Sequence, residues 1–183
     1  PKGYSCLRSN KLPEACAKGT YSSLQNSSTC LSCESGRYQI NTNSTSCLEC
    51  PKGSMCQMST EMPVECEAGK YAERENSITC TSCSSRGEGH YQLEMGKSSC
   101  KTCPTGYVCS GPDQEPMICD AGKYAKGITE CAFCEDGQYQ TEIGQPQCNA
   151  CPEGHTCIGK AEEPRGCVEG KYAPTKNLLQ CIN

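Results

Sequence analysis

Apolar and polar positions along this chain never settle into a helical stripe. No stretch long enough for a helix keeps the three-to-four-residue apolar spacing that would predict one. Single tyrosines and cysteines stand instead among short polar runs rich in Gly, Ser, Asn, Thr and Pro, which are turn and breaker residues. The triplet Gly-x-Tyr recurs at Tyr21, Tyr38, Tyr71, Tyr91, Tyr124, Tyr139 and Tyr172. Its glycine suits a tight turn with positive φ. The polar residues that follow, up to the next cysteine, read as the return arm of a small hairpin. The pattern predicts a small disulfide-rich fold: an elongated tandem array of short β-hairpin ribbons with little or no helix. Each unit of such an array contacts chiefly its neighbours.

The ribbons are organised by a longer repeat. Pro-x-Gly-x-x-Cys motifs begin at Pro1, Pro51, Pro104 and Pro152, and end on Cys6, Cys56, Cys109 and Cys157. Each is followed by a second cysteine (Cys16, Cys66, Cys119, Cys167), with Pro13, Pro63, Pro116 or Pro164 inside the gap. A Gly-x-Tyr loop then leads to a Cys-x-x-Cys pair: Cys30/Cys33, Cys80/Cys83 and Cys131/Cys134. Gly-x-Tyr-Gln follows, and a further pair closes the row: Cys47/Cys50, Cys100/Cys103 and Cys148/Cys151. The expected domains are repeats at residues 1–50, 51–103 and 104–151, and a partial repeat at 152–183. Row two is longer after Cys83, which predicts a projecting loop over Ser84–Glu88, and row three is shorter before Cys131. Length changes within such loops cost little. The pattern is interrupted on both sides, before Pro1 and after Cys181-Ile182-Asn183, which predicts a longer parent array.

Composition explains why cross-links must carry the fold. Leu, Ile, Val and Phe together number 19 of 183 residues, and there is no Trp. A chain this poor in large apolar groups does not offset its conformational entropy by burial. It has 21 cysteines, above the share of roughly 8–10% that marks a disulfide scaffold. Each bridge contributes about 2–4 kcal/mol. This predicts an oxidising, extracellular or cell-surface location on the secreted route. The formal net charge of −4 is well mixed along the chain and predicts no nucleic-acid partner. No apolar run is long enough to span a membrane, so no membrane contact is expected of this segment.

The motif Cys66-Glu67-Ala68-Gly69-Lys70-Tyr71, followed by Cys80 and Cys83, resembles the opening module of tumour-necrosis-factor-receptor cysteine-rich domains. With its Cys-Pro-x-Gly junctions, the repeated pattern is closer still to ephrin-receptor-like cysteine-rich repeats of large surface and matrix proteins. The resemblance implies an extracellular disulfide ladder and brings no catalytic residues. Relative to the receptor domains, Pro-x-Gly-x-x-Cys and its gap form an extra element. Two pairings stay open. In one, loops close on themselves: Cys16–Cys30, Cys33–Cys47 and Cys50–Cys56, and so on through Cys66, Cys80, Cys83, Cys100, Cys103, Cys109, Cys119, Cys131, Cys134, Cys148, Cys151, Cys157, Cys167 and Cys181, with Cys6 left over. In the other, the pairs cross as Cys30–Cys47, Cys33–Cys50 and Cys6–Cys16, leaving Cys181. Resemblance to a self-closed module favours the first.

Other chemistry is weaker in the sequence. Cys30-x2-Cys33 and Cys47-x2-Cys50 approach zinc-ribbon spacing, but each full row holds two further cysteines at equally fixed places, and disulfides are preferred. Cys-x-x-Cys as a redox motif normally appears once, beside a βαβ unit. His90 and His155 have no histidine counterparts in the other rows and no recurring Ser or Asp partner. The acidic residues follow no calcium-loop alternation. No cofactor and no enzymatic activity are expected. The sequons Asn26-Ser27-Ser28 and Asn43-Ser44-Thr45 predict N-glycans at Asn26 and Asn43.

These readings converge on a structural or spacer segment of a long extracellular or cell-surface protein, with a filament-forming role among the options. Its partners would be other protein chains or copies of itself. The alternative is a ligand-binding receptor ectodomain, for which Ser84–Glu88 is the candidate contact, and a further alternative is a protist surface antigen.

Overall fold

The computed structural model describes residues 1–6 and 12–183. Among these, every sheet is an isolated antiparallel pair of strands, and the single helical element is the 3-10 turn Cys83–Arg86. The residues form two compact units. Unit one comprises residues 1–86 and 92–100. It holds hairpin A (Tyr4–Ser5 with Glu14–Ala15), B (Thr20–Tyr21 with Leu31–Ser32), C (Arg37–Tyr38 with Leu48–Glu49), D (Ser54–Met55 with Val64–Glu65) and E (Lys70–Tyr71 with Thr81–Ser82). It also holds the turn of hairpin F, around Gly96. Unit two comprises residues 87–91 and 101–183. It holds the strands of F (His90–Tyr91 with Lys101–Thr102), then G (Tyr107–Val108 with Met117–Ile118) and H (Lys123–Lys126 with Glu130–Phe133). Hairpins I (Gln138–Tyr139 with Asn149–Ala150), J (His155–Thr156 with Arg165–Gly166) and K, the bridge Tyr172 to Ile182, complete it.

The structural repeat is therefore one hairpin, three to each row. The Pro-x-Gly-x-x-Cys stretch folds into the same hairpin as the Gly-x-Tyr loops. Each hairpin opens on a glycine at positive φ, then two strand residues, then one inward-facing residue. That residue is small in one kind (Ser22, Ala72, Ala125, Ala173), Gln in the next (Gln39, Gln92, Gln140) and Cys in the third (Cys6, Cys56, Cys109, Cys157), and all of them but the half-buried Cys6 are buried. The Gln kind clamps its own loop. Gln92 Nε2 donates to the Ser99 carbonyl at 2.9 Å, while Gln92 Oε1 accepts from the Glu94 N–H at 3.1 Å. Gln39 and Gln140 repeat both bonds. Where row three is shorter, the loop shrinks to a turn at Gly127 and the ladder of H extends to Lys126 opposite Glu130.

Bridges and backbone bonds join hairpin to hairpin. The described cysteines pair as Cys16–Cys30, Cys33–Cys47, Cys50–Cys56, Cys66–Cys80, Cys83–Cys100, Cys103–Cys109, Cys119–Cys131, Cys134–Cys148, Cys151–Cys157 and Cys167–Cys181. Cys6 is free. The opening glycine donates its N–H to the next hairpin, as Gly53 does to the Ala72 carbonyl at 2.9 Å and Gly122 to that of Gln140 at 2.7 Å. The turn of the hairpin after that reaches back. Asn76 N–H bonds the Cys50 carbonyl at 2.9 Å, and Gly144 N–H that of Cys119 at 2.7 Å. This turn lies on the opening glycine two hairpins earlier: Asn76 on Gly36, Gly96 on Gly53, Gly144 on Gly106 and Asn177 on Gly137. A side chain at any of these glycines would overlap a backbone carbonyl. The buried groups are consequently cysteines and small residues, and the hydrophobic cluster of unit two is only Val108, Cys119 and Ala125 with Cys131 beside it.

Two measurements follow from this packing. Gly36→Ala and Gly127→Ala both place a side chain at positive φ, but only Gly36 is covered by another hairpin. In chemical denaturation of the oxidised chain, Gly36→Ala lowers stability by more than about 1 kcal/mol beyond the loss caused by Gly127→Ala; equal losses would remove the inter-hairpin contact from the account. Under graded reduction with differential alkylation, Cys33–Cys47, partly exposed at both ends, opens before Cys50–Cys56, buried at both ends. The reverse order, or peptides linking Cys30 to Cys47, would contradict the pairing.

Candidate functional surface

The surface features that matter sit on turns, because the strands are only two residues long in most hairpins and face their neighbours through backbone. Asn26 and Asn43, the sequon asparagines, are both exposed at turn positions with φ of 58° and 59°. Asn76 and Asn177 occupy like turns at 61° and 64°. Asparagine tolerates this left-handed conformation better than other side chains. It also supplies a docking group, since Asn76 Oδ1 accepts a bond from the Cys50 N–H at 3.1 Å. The carboxamide oxygen of Asn43 is turned toward Gly3. These asparagines thus have a conformational reason to be present, independent of their sequons.

The insertion in row two does not project as a free loop. Cys83–Arg86 winds into a 3-10 turn, and Arg86 folds back over hairpin E. Its guanidinium lies 4.7 Å from the Tyr71 ring centroid, Nε donates to the Tyr71 hydroxyl at 2.9 Å, and a second nitrogen meets Glu73 at 3.1 Å. The Tyr71 hydroxyl, its bond above all, raises the Arg86 pKa further. The sequence showed the extra length here but not that an arginine and a buried tyrosine would take it up.

On hairpins D and E an open cleft is lined by Met55, Val64, Glu65, Lys70 and Thr79 among others. Within it Lys70 Nζ bonds Glu67 at 2.9 Å, which lowers the Glu67 pKa, first through the hydrogen bond and then through charge. The rings of the two histidines lie against nearby carbonyls: His90 Nδ1 is 3.4 Å from that of Gly87, and His155 Nδ1 is 3.0 Å from that of Glu153. Among the described residues no group of three or more His, Cys, Asp or Glu side chains is arranged to hold a metal ion, and no helix is long and apolar enough to cross a membrane.

The family model described as "Tyrosine-protein kinase ephrin type A/B receptor-like" matches residues 19–63 and 122–161. No curated protein matches the chain. Both matched segments begin on the opening glycine of a small-residue hairpin and cover the same succession, B to D and H to J, stopping within the loop of a Cys hairpin. The stretch between them runs through the same three kinds in order, with Ala72, Gln92 and Cys109 at the inward position, and differs by the Ser84–Glu88 insertion. The succession of hairpins, the bridges and the two matched segments fit ephrin-receptor-like cysteine-rich repeats.

Proposed function

We propose that the chain is a non-catalytic spacer segment of a long extracellular or cell-surface protein. The observation that carries this reading is the one-way coupling of hairpins within each unit. The opening glycines before Gly170 donate to or are covered by hairpins that follow them, so that a further hairpin of the same kind extends the structure without remaking it. The cross-links and the repeat type fit an extracellular location. On the same reading Asn26 and Asn43, both exposed, accept N-glycans, and the partners are protein chains rather than small molecules.

A ligand-binding ectodomain is the second reading, and the receptor-like repeat favours it. Its expected contact, Ser84–Glu88, loses force because Arg86 is engaged with Tyr71 and Glu73.

Duplication tests the spacer reading. When residues 17–66 are repeated once and twice in tandem after Cys66, the oxidised chains keep their denaturation midpoint, and the radius of gyration from small-angle scattering grows by equal steps. Steps that shrink as in a growing globule, or scrambled bridges in the duplicated hairpins, would sink it.

A further inference from the structure

Hairpin D departs from its counterparts in a way that the repeat does not require. The loops of D, G and J each begin after the inward cysteine and share a tight turn. The Glu61 N–H bonds the Met58 carbonyl at 3.3 Å, as Gln114 does with Gly111 and Glu162 with Gly159. The residue opening that turn is Gly in G and J, and Met58 in D. The residue before the recurring proline is Glu115 or Glu163 in G and J, and Met62 in D. Both methionines are exposed, Met58 at 57% and Met62 at 61%, and Val64 beside them at 53%. Val64 pairs in register with Met55, and these two side chains line the cleft of D and E. The turn of hairpin F adds Met95, exposed at 57%, because it lies on Gly53, and Gly96 faces the Glu65 carboxyl group. Four of the five methionines of the chain thus gather on hairpin D and the turn seated on it.

Hairpin D carries one lysine, Lys52, and two carboxylates, Glu61 and Glu65. Glu67 is paired with Lys70 and Glu94 with Lys97. Glu61 and Glu65, which flank the methionines and Val64, are exposed and have no ion-pair partner among the described residues. Apolar surface of this kind costs solubility and marks docking sites when it is grouped rather than scattered. Methionine fits it to adaptable binding, because its unbranched thioether reshapes around different apolar partners. Two unpaired carboxylates at the rim select for the sign of the partner's charge.

We propose that hairpin D, with the Met95 turn, docks a basic segment of another extracellular protein, one that places an aliphatic or aromatic anchor between Lys or Arg residues. The anchor lies among Met58, Met62, Val64 and Met95, and the flanking cations meet Glu61 and Glu65. This goes beyond the spacer reading: a spacer without a docking site and a docking site on a chain that is no spacer are both distinguishable outcomes, since the duplication experiment does not read binding.

The test selects a phage-displayed library of random peptides of about 12 residues on the oxidised chain, with counter-selection on a chain carrying Met58→Ser and Met62→Ser. The expected result is enrichment of peptides with Lys or Arg flanking Leu, Ile or Phe. A synthetic peptide from the selection is expected to lose about tenfold or more in affinity on the double methionine variant. Glu61→Gln with Glu65→Gln weakens it and flattens its salt dependence, and Phe133→Ser, at an exposed apolar residue of hairpin H, leaves it unchanged. Non-reducing peptide maps identical to that of the parent chain establish that the variants fold. Enriched peptides without basic residues, or binding indifferent to the methionine substitutions, would overturn the proposal. So would a chain that dimerises in sedimentation analysis and loses the dimer on the methionine substitutions, since the occupant would then be a second copy.

Discussion

Backbone rests on backbone at several of the places where one hairpin meets the hairpin two places earlier. The turn carbonyl of Asn76, Gly96, Gly144 or Asn177 occupies the space where a side chain of Gly36, Gly53, Gly106 or Gly137 would be. Only glycine satisfies both requirements of that position, the positive φ and the absent Cβ. The remaining features follow from this closeness. From hairpin B onward the inward residue is small, or is a Gln that satisfies its own amide, or is a bridged Cys. The cysteines that open the hairpins become the buried groups, and Cys50, Cys83, Cys119, Cys134 and Cys151 are fully shielded. A bridge closing a loop of about 15 residues contributes roughly 3 kcal/mol, and ordering each residue costs about 1–2 kcal/mol. Bridges alone therefore do not hold such hairpins, and the bonds between successive hairpins are needed as well.

Much of this was legible in the sequence at the level of spacing. Gly-x-Tyr marked the hairpins of the small and Gln kinds, since glycine, aromatic strand residue and return arm stand in fixed order. The third kind was hidden. In Gly53-Ser54-Met55-Cys56 no tyrosine follows at the usual distance, and in Gly106-Tyr107-Val108-Cys109 it comes one residue early, so the stretch read as an addition to the repeat. A strand of two residues carries no periodicity of its own. The Gln of Gly-x-Tyr-Gln was visible as a recurrence, but its clamp spans seven residues within a loop and leaves no pattern in the loop sequence. The insertion at Ser84–Glu88 announced extra length, while the return of Arg86 to Tyr71 depends on a contact 15 residues apart.

The surface methionines illustrate the opposite case. Met58 and Met62 look unremarkable one at a time. They stand out only when loops D, G and J are superposed by their shared turn, because the other two carry Gly and Glu at the same places. A repeat gives its own reference state: what each hairpin shares with the others serves the fold, and what a single hairpin adds needs a separate reason. By that standard the features common to the hairpins serve the fold, and the exposed methionines of hairpin D do not.

Hydrogen exchange at the turns tests the central claim most directly. The amides of Asn76, Gly96 and Gly144 belong to surface turns and would exchange rapidly if each hairpin stood alone. Because their N–H groups bond the carbonyls of Cys50, Cys66 and Cys119, residue-resolved exchange of the oxidised chain should show them protected as well as the hairpin-closing amides of Cys66 and Cys134. Exchange at the turns as fast as in an unstructured peptide, with the bridges intact, would contradict the account and leave the chain a string of independently stapled hairpins.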